Sequence, residues 1–245
     1  MKPLPHSLAL ATVASAATIQ ASIFVLDHFD SPVGGQAAII VNGTSITPPV
    51  TSTAVGLGLG ALGDTRAITL DIDSVRAVGN ASFPNTGSSE RGSANLTPDN
   101  LALEAGAHAS TTLTVSYDNG SAGLGLDLST STAIQFMAAA NDQGTWWTLT
   151  LSDGLNTHTE AVFQVAGFAG DFQIALAPFM GAGVDLSNVW SLAIVIDPQE
   201  FGGDAILHAL VAIPEPNAAW LLLGLGGLGV LWRRVRSPMG SVPET

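Results

Sequence analysis

The chain of 245 residues has no cysteine, a single tyrosine, and only 7 basic side chains against 20 acidic ones. Without cysteine there is no disulfide framework, no thiolate zinc site and no cysteine nucleophile. A formal charge of −13 leaves no basic surface to release counterions from a phosphate backbone, which excludes nucleic acid as a partner. Aromatics make up 6% and charged residues 11%, while 47% of residues are hydrophobic and 27 are glycine. Small apolar residues in this proportion fit an ordered, exported protein better than an acidic disordered one. The length suits one mid-sized domain with processing segments.

The few basic residues cluster at the ends. Between Lys2 and Arg233 there are only Arg66, Arg76 and Arg91. Met1-Lys2 precedes an uncharged stretch, Ser7 to Ala17, that ends in small residues. A cationic start, an apolar core of roughly ten residues and a small-residue boundary make a secretory signal peptide, assigned to residues 1–21. At the other end, Pro214-Glu215-Pro216 is followed by an uncharged run from Ala218 to Trp232 and then by Arg233, Arg234 and Arg236. As a helix that run is about 22 Å long, short for a hydrocarbon core of ~30 Å. Trp220 and Trp232 at its ends and snorkelling arginines complete a marginal transmembrane helix over 218–232. Arginines directly after the span hold that end in the cytoplasm and leave the acidic middle outside.

Pro-Glu-Pro, a short Gly/Leu-rich apolar helix and an arginine cluster together resemble the PEP-CTERM sorting signal of bacterial exported proteins. The resemblance covers Val211 to Pro238, with the signal placed at 212–238. It departs from the usual pattern in the tail beyond Arg236, whose last part is residues 239–245. It implies exosortase and the export machinery as partners, anchoring in the inner membrane, cleavage near Pro214-Glu215-Pro216, and a final place at the cell surface or outside the cell. Extracellular polysaccharide is a further partner that the resemblance implies.

Residues 22–211 read as one all-β ectodomain. Ile68, Leu70 and Ile72 alternate with Thr69, Asp71 and Asp73, and Leu113 and Val115 with Thr112, Thr114 and Ser116. Similar runs at 22–26, 37–41, 133–138, 145–151, 160–165, 172–176, 189–196 and 205–213 bring the strands to about ten. No segment between the two ends carries a helical stripe. This predicts an antiparallel, jelly-roll-like β-sandwich, with Thr47–Leu62 and Asn80–Asn100 as long loops. The middle also loosely resembles the jelly-roll ectodomains found with this tail. Fold likeness does not carry a sugar site with it.

Catalytic signatures are missing. There is no Gly-x-Ser-x-Gly elbow and no His-Glu-x-x-His, and the five histidines are scattered. The chain is therefore read as non-enzymatic, with a secreted hydrolase as the remote alternative. Asp27, Asp30 and Asp204 are candidate ligands for a structural calcium ion, which jelly-roll modules hold between opening and closing segments. The most informative pair is Trp146-Trp147, because adjacent strand residues face opposite ways. Trp147 keeps step with Leu149 and Leu151 and belongs in the core. Trp146 keeps step with Thr148 and Thr150 on the polar face. A three-residue loop, Asp153-Gly154-Leu155, would turn Ala161, Phe163 and Val165 inward and bring His158 and Glu160 outward beside Trp146 and Thr148. That surface, an aromatic ring among hydrogen-bonding groups, is the candidate carbohydrate contact. The leading expectation is a structural or adhesive surface protein, and a carbohydrate-binding module is the alternative.

Overall fold

The computed structural model describes residues 24–29, 39–43, 49–55, 62, 65–75, 90–97, 100–118 and 122–215. The leader at 1–21, the apolar run at 218–232, Asp30, Pro216, Arg233, Arg234, Arg236 and the 239–245 tail lie outside these residues. In chain order the strands are β1 (Phe24–Asp27), β2 (Ile39–Gly43), β3 (Val50–Val55), β4 (Thr65–Val75), β5 (Glu90–Thr97), β6 (Asn100–Ala105) and β7 (Ala109–Tyr117). They continue as β8 (Ser131–Asn141), β9 (Thr145–Ser152), β10 (Thr157–Gln164), β11 (Ala169–Ala175), β12 (Ser191–Pro198), β13 (Ala205–Leu207) and β14 (Ala209–Pro214). One short helix, α1 (Ala177–Gly181), separates β11 from β12. The all-β expectation holds. The numbering also exposes three strands that alternation missed: β3 lies in the Pro-Pro and Gly-rich stretch read as a loop, and β5 and the start of β6 occupy the polar stretch read as an excursion.

All pairings are antiparallel and fall into two sheets. One has the order β10-β9-β12-β7-β4-β3; the other runs β1-β14-β8-β13-β6-β5-β2, and β11, off this path, also pairs with β8. This two-sheet sandwich is consistent with a jelly roll. The alternating residues of β4, β7, β9 and β12 put Ile68, Leu70, Leu113, Val115, Trp147, Leu149, Leu151, Leu192, Ile194 and Ile196 into the interior. They meet Leu101, Leu103, Ile134, Phe136, Leu207 and Leu210 from the opposite sheet. Phe136 stacks on Phe172 at 4.7 Å, and the Trp147 indole sits edge-on to both rings at 6.0 and 5.5 Å. Each large apolar side chain buried this way stabilises the sandwich by roughly 1.5–3 kcal/mol.

One polar cluster interrupts this core. Asp27 of β1 accepts the Arg66 guanidinium at 2.7 Å and the Tyr117 hydroxyl at 2.5 Å on one carboxylate oxygen. Its other oxygen accepts the Phe29 amide at 2.7 Å. That bond holds Phe29 in the left-handed region, φ 55°, a conformation uncommon for a bulky residue. The Phe29 ring in turn lies under the guanidinium, 5.8 Å from ring centre to Cζ. Arg66 and Tyr117 are direct neighbours across β4 and β7, while β1 belongs to the other sheet. The cluster therefore ties the two sheets together through the interior.

Two outcomes are expected from this cluster. Arg66→Met leaves a buried carboxylate without its cation and costs about 3–5 kcal/mol of unfolding free energy, against about 1–3 kcal/mol for Tyr117→Phe. Burial first, and the Asp27 charge second, hold the Tyr117 hydroxyl well above its ordinary pKa of 10.0. Above pH ~10 the unfolded chain ionises its tyrosine while the folded chain keeps the proton, so stability falls as pH rises from there. As this is the only tyrosine, tyrosinate absorbance should appear only together with unfolding. Absorbance rising well before the loss of structure would contradict the buried hydroxyl.

Candidate functional site

The β9–β10 hairpin decides which side chains share the outer surface. Ser152 is opposite Thr157, so the loop is Asp153-Gly154-Leu155-Asn156, one residue longer than expected. Asp153 builds it: the carboxylate accepts the amides of Leu155 at 2.7 Å and Asn156 at 2.6 Å on one oxygen, and that of Asp185 at 2.8 Å on the other. Gly154 supplies the positive φ of 88°. Amide donors drive the Asp153 carboxyl far below the usual carboxylate range, Asn156 first and Asp185 next. Because side chains alternate, one extra loop residue exchanges the two faces of β10.

The candidate quartet is thus divided. Trp146 and Thr148 lie on the outer face, opposite Phe163 and Ala161. His158 and Glu160 lie on the other face, opposite Leu151 and Leu149. There His158 Nε2 and Glu160 Oε1 share a hydrogen bond of 2.6 Å, and the His158 ring stands edge-on to buried Phe179 of α1 at 5.2 Å. Phe163 and Val165, expected in the core, are instead 44% and 66% exposed. Trp146 is 40% exposed, as expected, whereas Trp147 is fully buried. The exchange gives Trp146 an aromatic neighbour that the sequence reading had placed inside. The two rings lie 5.1 Å apart at 57°.

Across the sheet the outer face continues with short hydroxyl-bearing side chains and carboxylates. Asp197 of β12 is the direct partner of Trp146. Its carboxyl is raised from the ordinary value, by burial first and by the Asp73 charge second. Gln199 donates to Asp197 at 3.0 Å, and Thr112 of β7 donates to Asp73 at 2.7 Å. Thr51 and Thr69 share a hydrogen bond of 2.8 Å further along, and Thr150 and Thr159 one of 2.9 Å. On this face Asp197 is the residue that the sequence reading misses; the signal that could have found it is its step with outward-facing Val195 and Ala193.

Of the three calcium candidates, Asp27 and Asp204 are described, and they lie apart. Both Asp27 oxygens are consumed inside the sandwich, and Asp30 lies outside the described residues. Asp204 precedes β13, whereas Asp27 lies opposite Leu210 in β14; the five residue steps from Ala205 to Leu210 span about 17 Å of strand. Asp204 accepts the Ala105 amide at 2.9 Å, and its own amide donates to Asp142 at 2.7 Å. Burial, then the charges of Asp142 and Glu104, raise its carboxyl. Among the described residues no group of three or more acids or histidines gathers at one point.

The last strand leads into the other candidate site. Ala212 pairs with Phe24 of β1 on one side and Ile134 of β8 on the other. Pro214 is opposite Ser131, and the Glu215 amide donates to the Thr130 carbonyl at 2.8 Å. The stretch beginning in this strand, residues 212–236, matches the PEP-CTERM protein-sorting motif. The chain carries a PEP-CTERM sorting signal. A PEP-CTERM signal marks an exported, surface-associated protein that engages the export machinery. Its first residues are here part of the sandwich rather than of a separate linker.

No curated protein is similar to the chain over its sequence. Among solved structures it is similar to PfGH50B, with TM-score 0.39 and 11% identity over 51% of this chain and 22% of that one. It is similar to the family 11 carbohydrate-binding module of a Clostridium thermocellum cellulase, TM-score 0.35 and 9% identity over 74% of this chain and 96% of the module. An exo-beta-agarase gives TM-score 0.38 and 10% identity over 80% of this chain and 25% of the enzyme. The chain spans about a quarter or less of the two larger proteins. Likeness this slight assigns neither a substrate nor an activity.

The Asp153 cap has a measurable consequence. A carboxyl held low in the folded state contributes stability that is present above the unfolded value near 3.8 and is lost as pH falls through the folded one. Asp153→Ala should lower the melting temperature at neutral pH and flatten the acid limb of the stability profile. Parallel acid limbs for the two proteins would contradict the cap.

Proposed function

We propose that this chain is a non-enzymatic, exported bacterial protein of the cell surface or extracellular matrix, with a structural or adhesive role. Its PEP-CTERM signal anchors it in the inner membrane, and exosortase processes it. The observation that carries this reading is the PEP-CTERM match at 212–236, whose first residues, through Glu215, are still hydrogen-bonded into the sandwich. The far end of the sandwich, with Asn141, Thr145, Gln164 and Asp197, points away from the strand end that enters the signal. In a host with exosortase the protein should accumulate as a shortened form in the surface or extracellular fraction. Without exosortase it should stay full-length in the membrane fraction. The same size and compartment in both hosts would refute the proposed route.

A second reading, a carbohydrate-binding module, is favoured by the Trp146–Phe163 pair. Two exposed aromatic rings 5.1 Å apart on an open hydroxyl-lined sheet offer a stacking surface for the apolar face of a sugar ring. They lie toward the far end, the position an extracellular ligand reaches. Trp146→Ala should weaken binding to a glycan ligand by tenfold or more in calorimetric titration without changing the melting curve. Unchanged affinity would remove Trp146 from the contact. The hydrolase alternative has no comparable support: Asp73 and Asp197 lie on an open face, whereas glycoside cleavage uses paired carboxyls in a cleft.

A further inference from the structure

Every charge that β4, β7, β9, β10 and β12 place on the outer face of their sheet is negative. Asp71, Asp73 and Asp197 are turned outward, and the remaining outward positions of these strands are serine, threonine, alanine, valine and the two aromatic rings. Asp197 is the strand neighbour of Trp146, which is in turn the neighbour of Phe163. Asp73 is close enough to Asp197 for its charge to act on it. One oxygen of each carboxylate is already engaged, by Thr112 and by Gln199. The aromatic pair is therefore flanked on its inner side by two carboxylates that accept hydroxyl donors and repel anions.

From this juxtaposition we infer that the Trp146 face selects uncharged polysaccharides and rejects acidic ones. The inference rests on the carbohydrate-binding reading and adds the class of ligand. A neutral pyranose chain presents an apolar C–H face to Trp146 and Phe163. Its ring hydroxyls then donate to the remaining oxygens of Asp197 and Asp73, and charge-assisted bonds of this kind are the stronger ones. A uronate or a sulfate ester in the same position sets a third negative charge beside two others, with no arginine or lysine on these strands' outer face to offset it. The same repulsion opposes a second copy of the chain packing face to face, because each copy brings the same acids and a charge of −13. It opposes an anionic lipid surface for the same reason.

The test is binding of the full chain in detergent to a soluble neutral glucan, a soluble neutral galactan, alginate and chondroitin sulfate. It is run at low ionic strength with a chelator, so that no divalent cation bridges carboxylates. At least one neutral polymer should bind ten-fold or more tighter than either acidic polymer, and the difference should shrink as salt rises. Asp73→Asn combined with Asp197→Asn should weaken binding to the neutral polymer, because the charge-assisted acceptors are lost, and raise binding to the acidic polymers several-fold, so that the preference for neutral polymers largely disappears; an undiminished preference overturns the role of the two carboxylates. Both changes conserve shape, and an unchanged melting curve establishes that the variant is folded. Equal or tighter binding of alginate or chondroitin sulfate to the wild-type chain overturns the selectivity and leaves the sugar-binding reading intact. Binding to none of the four polymers, or binding indifferent to Trp146→Ala, overturns both.

Discussion

The fold is organised around one carboxylate. Asp27 sits in the first described strand of one sheet and takes its partners, Arg66 and Tyr117, from adjacent strands of the other. Placing a guanidinium and a carboxylate in an apolar interior is expensive, and such a pair contributes little net stability over a hydrophobic substitute. What it constrains is alignment. An unpaired charge in that position is strongly unfavourable, so any arrangement that slides β1 away from β4 and β7 is penalised. With β1 fixed, its pairing with β14 is fixed, and so is the place where the chain passes into its sorting signal.

The outward surface follows from the inward one. With Arg66, Ile68, Leu70 and Ile72 turned inward, β4 must turn Thr69, Asp71 and Asp73 outward, and the same alternation turns out Trp146 and Asp197. The core and the candidate ligand face are therefore specified by the same pattern. The hydroxyl ladder is what remains when β-branched side chains are needed for the strands and only small polar groups face water.

Alternation made most of the sandwich legible, including the division of Trp146 from Trp147. It could not reveal the hairpin length, which turns on the Asp153 side chain capping two amides rather than on hydrophobic pattern. That single residue moved His158 and Glu160 to one face and Phe163 to the other. The strands β3 and β5 are obscured by proline, glycine and serine in and around them, although each pairs with the strand that follows it. The interior ion pair joins positions 39 residues apart, beyond any local motif. Its trace was nonetheless present: Arg66 keeps step with Ile68, Leu70 and Ile72, and a cation on an apolar strand face requires a buried acid. The lysine-free middle made that arginine conspicuous, while Asp27 was read as part of an oxygen-rich terminus.

The strand that enters the sorting signal is an interior one, hydrogen-bonded to β1 along one edge and β8 along the other. A pull applied at Glu215 acts along the length of β14, so both ladders must slip together as a block. Peeling open one bond at a time, the weak mode for an edge strand, is not available from this attachment. A load applied through the end of β14 thus meets the sandwich in its mechanically resistant direction.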